Sequence, residues 1–234
     1  MADKPLKIEG PERIERHHEG EETLIKGGSL KLLGIIGAVI LVVAGGWFFF
    51  NRQAKAAETE ASIALGRISS YLNQGDYEKA INGDQTLLID NRPIIGLASI
   101  VAEYGSTNTG KRAALMLGNA YMATEKYQEA ASAFEVASES GDELTRAAAL
   151  AGSASVAEAE GNYEEAATRY DEAAALYKSD VSRSLYLFAA AKNYENASKN
   201  EEAIERYREI AMEYPTSEQN NIARLALARH GVEI

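Results

Sequence analysis

The stretch LGNAYMATEKYQEAASAFEVA at residues 117–137 decides the fold, because its pattern recurs twice later in the chain. The first recurrence is SASVAEAEGNYEEAATRYDEAA at residues 153–174, and the second is AAKNYENASKNEEAIERYREIA at residues 190–211. Self-similarity at a fixed period of a few tens of residues indicates a repeat protein, in which neighbouring units bury each other's apolar faces.

Each copy combines a small residue and an aromatic residue on one helix face. When the copies are aligned, the small residue is Ala130, Ala166 and Ala203, at steps of 36 and 37 residues. An aromatic residue follows four positions later, as Phe134, Tyr170 and Tyr207, and the position three before reads Tyr127, Tyr163 and Asn200. Residues four apart share a helix face, so the small residue admits a neighbouring helix and the aromatic fills the gap beside it.

The pattern resembles the tetratricopeptide repeat, a helix-turn-helix unit, over roughly residues 111–217. Turns between the two helices fall at Glu125-Lys126, Gly161-Asn162 and Ser198-Lys199. The resemblance implies an all-α fold, a solenoid of stacked helical hairpins that binds other proteins.

A degenerate first repeat precedes the three regular ones, at residues 51–110. Tyr71 to Ala80 match the front of a repeat, and residues 100–107 match its end. The spacing between these parts predicts an insertion of 13 residues within the segment from Asn82 to Gly96. Residues 218–234 read as a C-terminal capping helix.

An uncharged apolar run, LLGIIGAVILVVAGGWFFF, extends from Leu32 to Phe50. A helix of this length spans roughly 28 Å, close to the thickness of a bilayer core, so residues 30–50 are predicted as a single transmembrane helix. The alternative is a cleaved signal peptide, because Ala54-Lys55-Ala56 resembles a cleavage site. The long lead-in and the longer apolar run favour a retained anchor.

Residues 1–29 lack apolar periodicity and are predicted as a disordered cytoplasmic tail. His17-His18 is interpreted as a solvated pair, because two adjacent histidines cannot complete a metal site. Four Lys or Arg precede the span within twenty residues and three follow it, a weak bias that places the N-terminus in the cytoplasm. Gly34 and Ala38 form a small-xxx-small pair that would also permit a homo-oligomer.

The whole layout resembles the YfgM-like family of bacterial inner-membrane proteins. The resemblance rests on the order of anchor and repeats, on Asn82-Gly83-Asp84 leading to Gly96-Leu97, and on residues 103–107 before the first full repeat. It implies a periplasmic repeat domain beside the Sec translocon that assists secreted proteins as they emerge.

Tests for chemistry and for nucleic-acid binding give no support. The net charge of −11 opposes binding to phosphate backbones, and the absence of cysteine excludes disulfides and thiol nucleophiles. Residues 105–111 fit part of a phosphate-binding loop, but Arg112 replaces the required hydroxyl and a predicted helix precedes the loop, so an inter-helix turn is expected. Paired carboxylates such as Glu164-Glu165 and Glu201-Glu202 are expected at helix starts. We therefore predict no enzyme activity, no metal and no cofactor.

The predicted binding surface is the concave face of the solenoid, which the first helix of each hairpin lines. The repeat register places these inward positions at Leu115, Asn119, Met122, Ala151, Ser155, Glu158, Phe188, Lys192 and Glu195. Expected partners are translocon components, chaperones or unfolded secreted chains. A structural scaffold in cell-envelope assembly is the alternative function, and binding by edges instead of the groove also stays open.

Overall fold

The computed structural model describes the backbone of residues 22–89 and 91–233, and the side chains of residues 35–89 and 91–233. The chain divides into two compact units, Met1–Arg52 and Gln53–Ile234. The predictions made for residues 1–21, including the solvated His17-His18 pair, lie outside the described residues.

Helix α1 (Glu22–Asn73) runs for 52 residues through the apolar segment and on into the second unit. It begins eight residues before the predicted start of the span, so the expected boundary at residue 30 is not a helix boundary. No proline stands between Pro11 and Pro93 to interrupt it. The side chains from Ile35 to Phe50 are exposed apart from half-buried Gly37, and the helix is long and apolar enough to cross a membrane.

The second unit is a row of helical hairpins that begins with the last part of α1. Its further elements, in chain order, are α2 (Tyr77–Asn82), β1 (Gly83–Ile89), β2 (Arg92–Ile95), α3 (Leu97–Tyr104), α4 (Asn108–Ala123), α5 (Tyr127–Ser138), α6 (Glu143–Ala159), α7 (Tyr163–Leu176), α8 (Asp180–Asn196), α9 (Asn200–Glu213) and α10 (Asn220–Arg229). We call α4, α6, α8 and α10 the first helices, and α5, α7 and α9 the second helices.

The register positions of the repeats form the core, as predicted. The alanines Ala130, Ala166 and Ala203 are fully buried, and the aromatics that follow them, Phe134, Tyr170 and Tyr207, are at most 8% exposed. The position three residues earlier differs, because Tyr127 is only half-buried and Tyr163 is 37% exposed. These tyrosines are the first residues of α5 and α7, where the adjoining turn leaves one side of the ring to solvent.

Left-handed residues end the first helix of each repeat. Gly75, Glu125, Gly161 and Ser198 have φ angles of 75°, 61°, 82° and 62°. In each case the next backbone N–H donates to the carbonyl five residues earlier, at 2.8–2.9 Å. This hydrogen bond closes the helix end and sets the direction of the second helix.

A β-hairpin occupies the place where the spacing predicts the 13-residue insertion, and it splits the second helix of the degenerate repeat into α2 and α3. The strands were not predicted, whereas the regular repeats consist of helices alone, as predicted. Gly83 and Gly96 close the base of the hairpin, and a Cβ at Gly96 would overlap the carbonyl of Ile81. Glycine is therefore required for this close backbone approach.

Both edges of the hairpin are unsuited to pairing with another strand. On β2, Pro93 lacks an N–H group. On β1, the pairing is interrupted between Asp84 and Leu88, and Asp84 Oδ1 accepts the N–H groups of Thr86 and Leu87 at 2.8 and 3.3 Å. A bulge and a proline are common protections of a sheet edge against aggregation.

Candidate protein-binding groove

A groove of about 340 Å³ lies on the first-helix side of the repeats. We call it the inner groove, and its lining residues are Leu115, Asn119, Ala148, Ala151, Gly152, Ser155, Tyr170, Leu185, Tyr186 and Ala189. The structure therefore brings together four of the nine predicted residues, namely Leu115, Asn119, Ala151 and Ser155. Repeat register finds these positions because successive first helices present the same face.

Two predicted apolar residues pack into the hairpins instead of lining the groove. Met122 is half-buried against the small core cluster around Ala130 and Phe134. Phe188 is half-buried beside Tyr207, with ring centroids 6.0 Å apart.

The two predicted carboxylates serve the packing of helices. Glu158 Oε2 accepts from Asn193 Nδ2 at 3.1 Å and from the Tyr170 hydroxyl at 3.4 Å. Glu195 accepts from the Tyr207 hydroxyl at 3.0 Å and pairs with His230 Nε2 at 2.8 Å. Each carboxylate thus joins its own hairpin to the next first helix, α8 or α10.

Lys192 is the exception among the predicted polar residues. Its side chain is exposed, and within the described part of the chain it makes no hydrogen bond or ion pair. It stands six residues before Ser198, as Ser155 stands six before Gly161 and Asn119 six before Glu125. Lys192 therefore extends the row of inner-groove residues by one repeat.

Six residues that line the inner groove were not predicted. Ala148, Gly152, Leu185, Tyr186 and Ala189 lie on α6 and α8, one to three positions from predicted residues, while Tyr170 belongs to α7. Burial raises the pKa of Tyr170 and of Tyr186, so both hydroxyls stay protonated; that of Tyr170 already donates to Glu158 and lies 2.8 Å from Ser155 Oγ. The periodicity of the first helices does not reveal Tyr170, because this residue reaches the groove from a second helix.

Gly152 of the inner groove and Gly118 of α4 have a packing role. A Cβ at Gly118 would stand 2.5 Å from the Phe134 ring, and a Cβ at Gly152 would overlap the same ring. The ring of Phe134 therefore lies against the backbones of both α4 and α6, and only glycine permits this spacing.

Charge is divided between the two layers of helices. The first helices together carry seven Lys or Arg and four Asp or Glu. The second helices carry three basic and eleven acidic residues. As expected, Glu164-Glu165 and Glu201-Glu202 occupy the first turns of α7 and α9, where the positive end of the helix dipole favours them. The acidic character of the chain thus belongs mainly to the layer remote from the inner groove.

A second, larger groove of about 650 Å³ adjoins the β-hairpin. Its lining residues are Glu60, Ile63, Ala64, Arg67, Arg92, Pro93, Ile95, Glu103 and Tyr104. Burial, with smaller contributions from Glu103 and Glu60, raises the pKa of Tyr104 to about 12. Its lining includes two carboxylates and two guanidinium groups, and this mixture does not favour one class of ligand.

The segment that resembles a phosphate-binding loop is an inter-helix turn, as predicted. Helix α3 precedes it, and the Thr107 hydroxyl accepts from the N–H of Gly110 at 2.9 Å as the N-cap of α4. The Glu58 carboxylate of α1 accepts from the N–H of Thr109 at 3.1 Å, and the Thr109 hydroxyl lowers the pKa of Glu58. A protein carboxylate therefore occupies the helix start where a phosphate would bind. No cluster of three or more metal-ligating side chains occurs among the described residues.

Comparisons with known proteins support the repeat architecture. A family model described as tetratricopeptide repeat matches residues 113–146, which extend from α4 through α5 into α6. No curated protein sequence matches the chain. A crystal structure of nearly identical TPR-like repeats, from a Podosopora anserina protein described as kinesin light chain, is similar with a TM-score of 0.54. The sequences are 19% identical, and the match covers 74% of this chain and 85% of the other.

Proposed function

We propose that this chain is a membrane-anchored protein-binding module whose inner groove receives a segment of a partner protein. The tetratricopeptide-type repeats support this function. The observation that carries it is the inner groove itself, an open cleft of small and aromatic side chains with hydroxyl and amide groups at Asn119, Ser155 and Tyr170. Protein interfaces combine an apolar core rich in aromatic residues with polar groups that form hydrogen bonds.

Membrane anchoring is supported by α1. The apolar side chains between Ile35 and Phe50 have no packing partner that covers them, and Trp47 and Phe48 are 68% and 64% exposed. Such a surface is costly in water and stable in a bilayer. In this proposal the helix anchors the chain in the bacterial inner membrane, with the N-terminus in the cytoplasm and the repeats in the periplasm.

The proposed setting is the Sec translocon, where the repeat domain would assist secreted proteins. The resemblance to YfgM-like proteins supports this setting, and the Lys and Arg bias around the span supports the orientation. An anchor also raises the effective concentration of the groove near the membrane, so weak contacts with emerging chains suffice.

Site-specific photo-crosslinking in intact membranes tests the proposal. A photo-reactive residue at Ser155 or Leu185 points into the inner groove, and one at Glu172 on the exposed side of α7 is the matched control. We expect the groove positions to capture translocon components or secreted chains that Glu172 does not capture. Equal capture from both surfaces would contradict a binding groove. Capture of envelope-assembly proteins without translocon subunits would instead favour the scaffold function.

A further inference from the structure

The inner groove continues past its last lining residue to an unpaired cation. Asn119, Ser155, Lys192 and Leu225 each stand six residues before the left-handed residue that ends their first helix, which is Glu125, Gly161, Ser198 and Gly231 in turn. They are therefore equivalent positions in four successive first helices. Asn119 and Ser155 line the groove, and Lys192 is the next position in the row.

The charge of Lys192 is not neutralised by the carboxylates nearest to it in the sequence and register. Glu195 is occupied by Tyr207 and His230, and Glu158 by Asn193 and Tyr170. Within the described part of the chain Lys192 has no partner, whereas eleven acidic residues lie on the second helices. The row of inner-groove residues thus includes an unpaired positive charge at Lys192, in a chain of net charge −11.

Apolar side chains accompany this cation. Leu185 is 47% exposed on the groove wall, and Leu225, the next position in the row after Lys192, is 67% exposed. A partner that follows the row would therefore meet an apolar cleft first and a cation beside it. Charge complementarity then favours an apolar side chain followed by a carboxylate.

The size of the groove restricts the shape of the partner. A helix is about 10 Å wide with its side chains, whereas a cleft of about 340 Å³ with equal sides is only roughly 7 Å across. An extended chain inserts one or two side chains into such a volume. Leu185 on the groove wall and Lys192 stand seven residues apart on α8, roughly 10 Å at about 1.5 Å per residue, which three residues of extended chain span at about 3.3 Å each.

We infer that the inner groove binds an extended segment that carries an apolar residue and, three positions away, an acidic residue that pairs with Lys192. A single lysine pairs with one carboxylate, which the side chain of an internal Asp or Glu supplies. The inference rests on the proposed function and specifies the class of partner segment.

Peptide binding to the full chain in nanodiscs tests the inference by fluorescence anisotropy. The probes are labelled twelve-residue peptides of Gly, Ser and Gln that contain Leu-x-x-Asp, or Leu-x-x-Asn or Leu-x-x-Lys in its place. We expect the Asp peptide to bind more tightly than the Lys peptide. For Lys192→Glu the Lys peptide should instead bind about tenfold more tightly than the Asp peptide, and this difference in affinity should shrink at high salt. Lys178→Glu, an exposed lysine before α8, should leave the preference unchanged.

The outcomes separate this inference from the proposed function. An unchanged Asp-to-Lys preference in Lys192→Glu overturns the inference, and so does equal binding of peptides with the acid one, three or six positions from Leu. Asn119→Trp blocks the groove at an exposed position. In a protein that retains Lys192, this change should weaken the binding of every peptide. If Asn119→Trp weakens none of them, the groove itself fails as the binding site.

Discussion

At the scale of single residues, the turns between helices depend on backbone conformations that most side chains resist. Glu125 and Ser198 adopt left-handed φ angles of 61° and 62° at the position where the equivalent turns have Gly75 and Gly161. A left-handed residue with a Cβ is strained, so two of the four turns carry a cost that glycine would remove.

Replacing these residues by glycine should stabilise the repeats. We expect Glu125→Gly and Ser198→Gly each to add about 0.5–1 kcal/mol, since both side chains are exposed and only the left-handed strain is relieved. Thermal unfolding followed by circular dichroism measures the change. Gly161→Ala is the opposite control and should lower the midpoint; a higher midpoint would contradict the explanation.

Asp84 ties the β-hairpin to α1. It is 7% exposed, and its carboxylate accepts from the Tyr71 hydroxyl at 2.7 Å and from the Thr86 hydroxyl at 2.6 Å. Hydrogen bonds from Thr86 and Tyr71 hold the pKa of Asp84 well below its usual range. A lowered pKa in the folded state means that this carboxylate stabilises the fold at neutral pH.

The stabilisation by Asp84 should therefore disappear in acid. Above about pH 5 the wild type should unfold at a higher temperature than Asp84→Asn, by a constant difference. As the pH falls through the unfolded-state value of 3.8, the unfolded chain takes up a proton that the folded one resists, and the difference should shrink. A difference that grows in acid would contradict the assignment.

At the scale of elements, the spacing between α4 and α6 depends on one aromatic ring and two glycines. The fully buried ring of Phe134 touches the backbone at Gly118 and at Gly152. In the next repeat Tyr170 packs with alanines such as Ala154, which leave less room. In the first regular repeat the aromatic ring therefore lies against two backbone positions that have no Cβ.

Gly118→Ala and Gly152→Ala should each destabilise the protein by about 1–3 kcal/mol, because the new methyl group overlaps the Phe134 ring. Combining either change with Phe134→Leu should cost less than the two single changes together. Gly66→Ala in α1 is the control, since its Cβ would meet nothing within 4 Å and should gain about 0.5–1 kcal/mol. Chemical denaturation provides the comparison, and additive losses would argue against the clash.

One contact is apolar in the first regular repeat and polar in the second and third. A carboxylate stands twelve residues before the tyrosine in the second and third repeats, as Glu158 with Tyr170 and Glu195 with Tyr207. The first repeat has Met122 and Phe134 at these positions, so both hydrogen-bonding groups are absent together.

The coupled change Glu158→Met with Tyr170→Phe should be milder than the sum of its parts. Each single change removes the hydrogen bond between these two side chains, while Tyr170 keeps Ser155 Oγ at 2.8 Å or Glu158 keeps Asn193, and should cost about 0.5–1.5 kcal/mol. The double variant reproduces the apolar pair of the first repeat, so we expect a favourable coupling energy in a double-mutant cycle. Simple additivity would show that the two side chains act independently.

At the scale of the whole molecule, the two units differ in the chemical character of their exposed side chains. Residues 35–50 expose apolar side chains, whereas the helices of the second unit carry many exposed charges. Lys and Arg balance Asp and Glu in residues 1–52, with seven of each, so the net charge of −11 arises from residues 53–234. Such a division agrees with the proposed function, in which an acidic repeat domain is held by an anchor of zero net charge.

Removing residues 1–52 should release the repeat domain from membranes. We expect the full chain to stay in the membrane pellet after washing with alkaline carbonate, and residues 53–234 to appear in the supernatant. Fractionation followed by immunoblotting measures this partition. A full chain that washes off would contradict an anchor that crosses the bilayer.

The repeat fold could be predicted from the sequence because local rules act at fixed spacing. Ala130, Ala166 and Ala203 with their aromatic partners specify one buried face per hairpin, and that face needs only its neighbours to become a core. The same argument located the insertion, since a repeat of known period shows where extra residues stand. The apolar character of residues 32–50 likewise follows from composition alone.

Only the tertiary structure decided which polar side chains remain free. The repeat register predicts Glu158, Glu195 and Lys192 equally at inward positions. In the structure, side chains from neighbouring helices bind the two carboxylates but not the lysine. The hairpin between Gly83 and Ile95 and the entry of Tyr170 into the groove also depend on contacts distant in sequence. Periodicity reports which face of a helix is inward, but hydrogen-bond partners are chosen by the distances between elements that only packing sets.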